Sequence, residues 1–261
     1  MRFKIKMKVE GAERELPVNY QYELMSAVYA IFAKADKAYA DSLHENGYKV
    51  DNKRFKLFCF SELIGPHRGI SFNPQTNCLR VNGEFVYWQI SFMLEDGLRT
   101  FVQGLFNNQT IRIADKQGGV TFKIVEIQML PAAEWKPEPM ACTTMSSICV
   151  SRKCEGKSTV AYLSPSDEGY NEALLCGLLE RYKAIYGKEY SGECYCNLTV
   201  VGNEPKSKLI TIKAGTPQET RVKGYKYNFN IELPEELFDI AYNCGLGEKC
   251  GMGFGMINER R

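Results

Sequence analysis

The chain has 261 residues, 44% of them hydrophobic and 25% charged, a composition that supports sizeable cores and excludes fibrous and intrinsically disordered classes. Its formal net charge is only +2, so affinity for nucleic acid has to arise from local basic patches rather than from the overall balance. Charged and apolar residues alternate from Arg2 to Lys6, no run has the continuous apolar character of a signal peptide or membrane span, and the ten cysteines show no framework spacing, which together predict reduced thiols in a cytoplasmic protein.

In chain order, Arg2 to Glu10 places Phe3, Ile5, Met7 and Val9 on one face and basic residues on the other, the period of a half-buried strand. Leu24, Val28 and Ile31 recur at helical spacing within Tyr20 to Ala33, and a second helical stretch runs to His44 before the turn-forming Asn46-Gly47 pair. Phe55 to Ser61 reads as a strand, Phe85 to Met93 as another, Leu94 to Asn107 as a helix, and Ile111 to Ala114 and Val120 to Ile127 as strands. Three prolines between Pro131 and Pro139 break both periods, which predicts a first domain over 1–130, a linker over 131–139 and a second domain over 140–261. The second half repeats the order, with strands at Met145 to Val150, Tyr195 to Val201, Tyr225 to Leu233 and Phe254 to Ile257, and helices at Asn171 to Tyr186 and Glu235 to Cys244. A strand-helix-strand, strand-helix-strand unit found twice predicts an α+β chain of tandem ferredoxin-like domains, the arrangement of the RNA-recognition motif.

Metal chemistry finds little support in the residues. Cys194 and Cys196 are the only close cysteine pair, in a strand-like run, and two histidines cannot furnish a multi-histidine site. No cofactor and no metal is expected.

The run Gly245-Leu246-Gly247-Glu248-Lys249-Cys250-Gly251-Met252-Gly253-Phe254-Gly255 carries five glycines between a helix and the last strand. Such a loop either exposes N–H groups to phosphate with Lys249 adding charge, or simply caps the helix and turns the chain. A second concentration lies between Lys206 and Lys226, where Lys206, Lys208, Lys213, Arg221, Lys223 and Lys226 face the single acid Glu219. This stretch can track a phosphate backbone, with Tyr225 or Tyr227 stacking on a base, or it is a solvated hairpin whose tyrosines alternate into a core.

The paired Gly-hydrophobic-Gly motifs of Gly245 to Gly255, the Tyr22 to Phe32 helix, Leu43-His44-Glu45 and Lys56-Leu57-Phe58 together resemble the CRISPR-associated repeat-processing endoribonucleases of the RAMP superfamily. The resemblance implies metal-independent cleavage of precursor CRISPR RNA within its repeats by 2′-OH attack, leaving 2′,3′-cyclic phosphate and 5′-OH ends. It implies a catalytic set of Tyr29, His44 and Lys56, with Gly47 to Phe55 an apparent insertion and Lys49, Lys53 and Arg54 nearby substitutes for Lys56. It also implies RNA contacts through the basic stretch and through Gly245, Gly247, Lys249, Gly253 and Gly255. Its partners are CRISPR repeat RNA, other effector subunits and a second copy of the chain, with no membrane. A histidine suits this chemistry because imidazole in isolation titrates at about 6.5.

Read from the residues alone, His44 equally suits a helix C-terminus, Tyr29 a buried Met25-Tyr29-Phe32 stripe and Lys56 a solvated strand edge. His67, in Pro66-His67-Arg68-Gly69, is the reserve base. The rival functions are a non-catalytic RNA-binding subunit of a CRISPR effector complex and a small-ligand enzyme with the glycine loop as phosphate site.

Overall fold

The computed structural model describes residues 1–116, 118–153, 160–214 and 216–260. They form two compact units, one from Met1–Glu45 and Ser61–Pro131, the other from Asn46–Phe60 and the chain from Ala132 onward. Among the described residues no helix is long and apolar enough to cross a membrane.

In the first unit β1 (Arg2–Glu10), β2 (Phe85–Phe92), β3 (Thr110–Ala114) and β4 (Gly119–Leu130) pair antiparallel in the order β2-β1-β4-β3. The strand period decides the faces: Ile5 pairs with Trp88, Met7 with Val86, and all four are fully buried. Lys4 and Lys6 project to the other face, their ammonium groups 4.5 Å from the Tyr87 ring centroid and 4.6 Å from that of Phe85. Helices α1 (Gln21–Ala35), α2 (Lys37–Glu45) and α3 (Glu95–Asn107) complete the unit. Phe32 on α1 joins them to the sheet, its ring edge-on to Tyr39, Phe92 and Phe101 at 5.6, 6.0 and 5.8 Å. Burying that one side chain contributes about 1.5–3 kcal/mol.

Asp36 explains why α1 and α2 are separate helices. Its backbone is extended and its N–H closes α1 on the Phe32 carbonyl, while its carboxylate accepts the Tyr39 N–H at 2.9 Å and so caps α2. A three-stranded sheet of Glu15–Pro17, Cys78–Val81 and Ile70–Asn73 was not anticipated, because runs of three or four residues are too short to carry a period.

The second unit carries β5 (Met140–Thr144), α4 (Tyr170–Tyr186), β6 (Asn197–Ile212), β7 (Thr220–Glu232), α5 (Glu235–Cys244) and β8 (Ile257–Glu259), with strands ordered β6-β7-β5-β8. This is the ferredoxin-like arrangement expected from the repeated element order. β6 and β7 run well beyond the expected Tyr195 to Val201 and Tyr225 to Leu233, and the first and last strands differ in position. The first strand is Met140–Thr144 rather than Met145 to Val150: residues 145–150 are largely buried, but Met145 and Ser146 both donate to the Met256 carbonyl, and only Ile148 and Cys149 make isolated bridges. The last strand begins at Ile257 because Gly253 and Gly255 hold left-handed φ values that a strand cannot continue through.

Residues 46–60 join this unit as a hairpin of Tyr48–Val50 and Lys53–Phe55 followed by the strand Phe58–Phe60. Lys53 meets Glu180 of α4 at 2.5 Å, and the Arg181 guanidinium lies 5.7 Å from the Phe55 ring centroid. The apparent insertion Gly47 to Phe55 is this hairpin, and its packing on α4 is a long-range contact that a linear division at 131–139 does not express.

Where α1 crosses α3, a Cβ on Gly104 would collide with the Ile31 carbonyl oxygen. Helix propensity alone favours alanine there by about 1 kcal/mol. We expect Gly104→Ala instead to lower stability by about 1–3 kcal/mol in urea unfolding, since the collision is with backbone; a rise in the midpoint would contradict the close crossing.

Candidate active site and nucleic-acid interface

Within the first unit the Tyr29 and His44 rings meet edge-on, centroids 5.0 Å apart at 86°. The Asp36 break sends α2 back so that its last turn carries an exposed His44, while Tyr29 is half-buried on α1. Burial pushes the Tyr29 hydroxyl up to about 12, so the phenol keeps its proton through neutral pH and serves as a donor rather than a base. His67 is exposed in the short 3₁₀ turn Pro66–Arg68 and takes a left-handed conformation at φ 47° and ψ 52°.

Lys56 belongs to the second unit and is half-buried. Burial, and then the charge of Arg54, lowers its pKa from the ordinary lysine value. Leu57 beside it has φ 53°, uncommon for a leucine, which turns the chain into Phe58–Phe60.

The glycine-rich loop is a folded piece of backbone. Leu246 donates to the Gly255 carbonyl at 2.8 Å, Glu248 to Cys149 at 2.7 Å and Gly255 to Ser147 at 2.9 Å. Gly245, Gly247, Gly253 and Gly255 all have positive φ and are all buried. At Gly255 a Cβ would collide with the Leu246 carbonyl oxygen, so the residue is glycine for two reasons at once. Of the five loop residues singled out from the sequence only Lys249 is not fully buried. The Glu248 carboxylate is held by the Ser151 N–H and hydroxyl at 2.9 and 2.8 Å.

The six basic residues lie on the β6-β7 hairpin and are divided between its faces. Lys206 pairs directly with Lys226, and Lys208 follows two residues along on the same face. Arg221 and Lys223 lie on the opposite face, where the Lys223 ammonium is 5.2 Å from the Tyr225 ring centroid; Lys213 is exposed just past β6. Tyr225 and Tyr227 are 8% and 6% exposed, and the Tyr227 hydroxyl shares a 2.7 Å hydrogen bond with that of Tyr170. Both tyrosines therefore serve the core rather than base stacking, although Arg221 and Lys223, farther along the same face, are not buried.

Arg181 was missed. It is 5% exposed on α4 and donates to the carbonyl of Gly247, to that of Gly177 at 3.0 Å and to the Cys250 thiol at 3.3 Å. The available signal was its place on the inward stripe with Leu174, Leu178 and Tyr182, where a charged residue needs a reason.

Comparison with known proteins bears on this geometry. Residues 15–128 match the family model for the N-terminal part of CRISPR-associated protein Cas6. Residues 130–259 match the model for its C-terminal part. The chain is 26% identical over 259 residues to a CRISPR-associated endoribonuclease Cas6 1 of Methanocaldococcus jannaschii, covering 98% of this chain and 92% of the relative. It is 25% identical to a CRISPR-associated endoribonuclease Cas6 of Pyrococcus furiosus, covering 98% and 89%. A solved structure of an RAMP protein binding different RNA substrates superposes over all of both chains with a TM-score of 0.82 at 22% identity, a likeness of fold.

The two demands on Gly255 can be separated by comparison with Gly187, which has φ 68° but no neighbouring atom within 4 Å of where a Cβ would stand. Gly187→Ala should cost about 1–2 kcal/mol from the backbone alone. Gly255→Ala should cost more, lowering Tm by at least about 5 °C. Equal losses in a thermal melt would show that the loop has room to relax.

Proposed function

This chain belongs to the Cas6 family of CRISPR-associated proteins, and from that premise we propose that it is an endoribonuclease that cuts precursor CRISPR RNA within its repeats. The observation that carries catalysis, as against the RNA-holding alternative, is the edge contact between a proton-holding Tyr29 and an exposed His44. A subunit that only binds RNA has no need of that pair.

The reaction needs no group beyond those of substrate and chain. His44 accepts the proton of the substrate 2′-OH, whose oxygen attacks the adjacent phosphorus. Tyr29 donates a hydrogen bond to a non-bridging phosphate oxygen as negative charge develops there. The bond from phosphorus to the 5′-oxygen breaks, leaving a 2′,3′-cyclic phosphate on one fragment and a 5′-OH on the other. Lys56 offsets the charge of the transition state, and its lowered pKa makes it a stronger acid than a free lysine, suited to protonating the leaving oxygen.

RNA binding rests on the β6-β7 hairpin, with Lys249 as a further contact. Lys206 directly opposite Lys226 sets two cations side by side across the hairpin, a spacing suited to adjacent phosphates. Lys208 extends that face, so we assign it the backbone contacts, and place Arg221, Lys223 and Lys213 at its margin. The buried glycines act by shaping the loop that presents Lys249. A second copy of the chain and other effector subunits remain partners to be sought on the same RNA.

His44→Ala should slow single-turnover cleavage of a repeat RNA on the order of 10² to 10⁴-fold with its dissociation constant unchanged. A 2′-deoxy residue before the scissile phosphate should abolish cutting but permit binding, and excess chelator should leave the rate intact. Cutting of the deoxy substrate at the same bond would point to activated water as the nucleophile.

Replacing Lys206, Lys208 and Lys226 with alanine should weaken binding and reduce the slope of log affinity against log salt by about 0.7 for each lost phosphate contact. Arg221 and Lys223 replaced together should reduce it less. The opposite order would move the RNA to the other face of the hairpin.

A further inference from the structure

Resting on the reading that Lys56 acts in cleavage, we propose that Gly251 and Arg181 are positioning residues for Lys56, and that the glycine-rich loop serves the reaction by seating this lysine. The first observation is a slot of bare backbone. A Cβ on Gly251 would lie 2.8 Å from Lys56 Cβ and 3.0 Å from its Cγ. A Cβ on Gly47 would lie 3.3 Å from both Lys56 Cδ and Nζ. The stem of the lysine therefore lies against two glycines: at Gly251 a side chain would displace its root, whereas at Gly47 the positive φ and the Phe55 carbonyl oxygen, 2.5 Å from where a Cβ would stand, already demand glycine.

Gly251 differs from the other glycines of its loop in a way that identifies its task. Gly245, Gly247, Gly253 and Gly255 have left-handed φ, whereas Gly251 does not. Backbone conformation places no demand for glycine at 251, so the demand is for space, and the atoms occupying that space are Lys56 Cβ and Cγ. The contact involves the root of the side chain, where a shift is carried out to the ammonium group.

The second observation is Arg181, a buried cation that holds neutral groups. It donates to the Gly247 carbonyl and to the Cys250 thiol, residues on the N-terminal side of Gly251. Its guanidinium also lies over the ring of Phe55, the residue before Lys56. One planar side chain thus fixes the wall of the slot and the strand that delivers the lysine into it. Desolvating a charge is unfavourable, and stability alone gives no reason for a cation there, so a buried Arg181 fits a positioning task. Burial also lowers the Lys56 pKa, as a seat of this kind requires.

The test is a double-mutant cycle on the full chain with repeat RNA, measuring single-turnover rate, dissociation constant and Tm for Gly251→Ala, Lys56→Ala and the pair. Gly251→Ala should slow cleavage by about 10- to 100-fold with binding unchanged, and should add no further loss in the Lys56→Ala background. A folded Gly251→Ala protein with the wild-type rate overturns the proposal, as does an equal loss with and without Lys56. Wild-type cleavage by Lys56→Ala alone would instead overturn the catalytic reading of Lys56, a separate outcome. If Gly251→Ala does not fold, the cycle is run with Arg181→Lys, which keeps the charge and the glycine but loses the planar fork. A rate loss that depends on Lys56 supports the seat, and an additive loss or none overturns it.

Discussion

The hydrogen bond from Leu246 to the Gly255 carbonyl at 2.8 Å brings two stretches of backbone closer than side chains allow. The chain leaving α5 must reverse in that space before β8 can pair with β5, and four left-handed glycines permit it. The same closure fixes Gly247 for Arg181 and lays Gly251 against Lys56. Residues 145–150 depend on it too, because Ser147 and Cys149 supply the carbonyls that receive its N–H groups. A sequence feature that suggests phosphate binding is thereby directed largely at the protein's own backbone.

In the first unit the comparable constraint is the cap of α2. Asp36 ends one helix and starts the next, and the turn between them brings the Tyr29 and His44 rings together edge to face. The division of exposure follows: α1 lies on the sheet and half-buries Tyr29, whereas α2 ends at the surface with His44 open to solvent. Burial then has a chemical effect, since the same desolvation that makes the phenol a poor acid keeps it a reliable hydrogen-bond donor.

Charge is placed with similar restraint. The net is only +2, and the β6-β7 hairpin gathers cations locally, with Lys206 opposite Lys226. Elsewhere lysines lie along aromatic rings, as Lys4 and Lys6 do over Tyr87 and Phe85, where the stem covers apolar surface while the ammonium meets the ring.

Much of this protein follows from local pattern. The period of two in Arg2–Glu10, the helical stripes of α1, α3 and α4, and Pro234 before Glu235–Cys244 fix element type and order, because each side chain's burial is decided by its own strand or helix. The ferredoxin-like repeat was legible in the same way, whereas Tyr29, His44 and Lys56 were singled out only by the family resemblance of the motifs around them. Tertiary structure alone decided the rest: that residues 46–60 pack with the second unit, that the basic residues divide between two faces, that Tyr225 and Tyr227 are buried, that Gly251 borders Lys56 and that Arg181 lies over Phe55. These are contacts between residues far apart in the chain, set by which surfaces can exclude water together, and no local period encodes them.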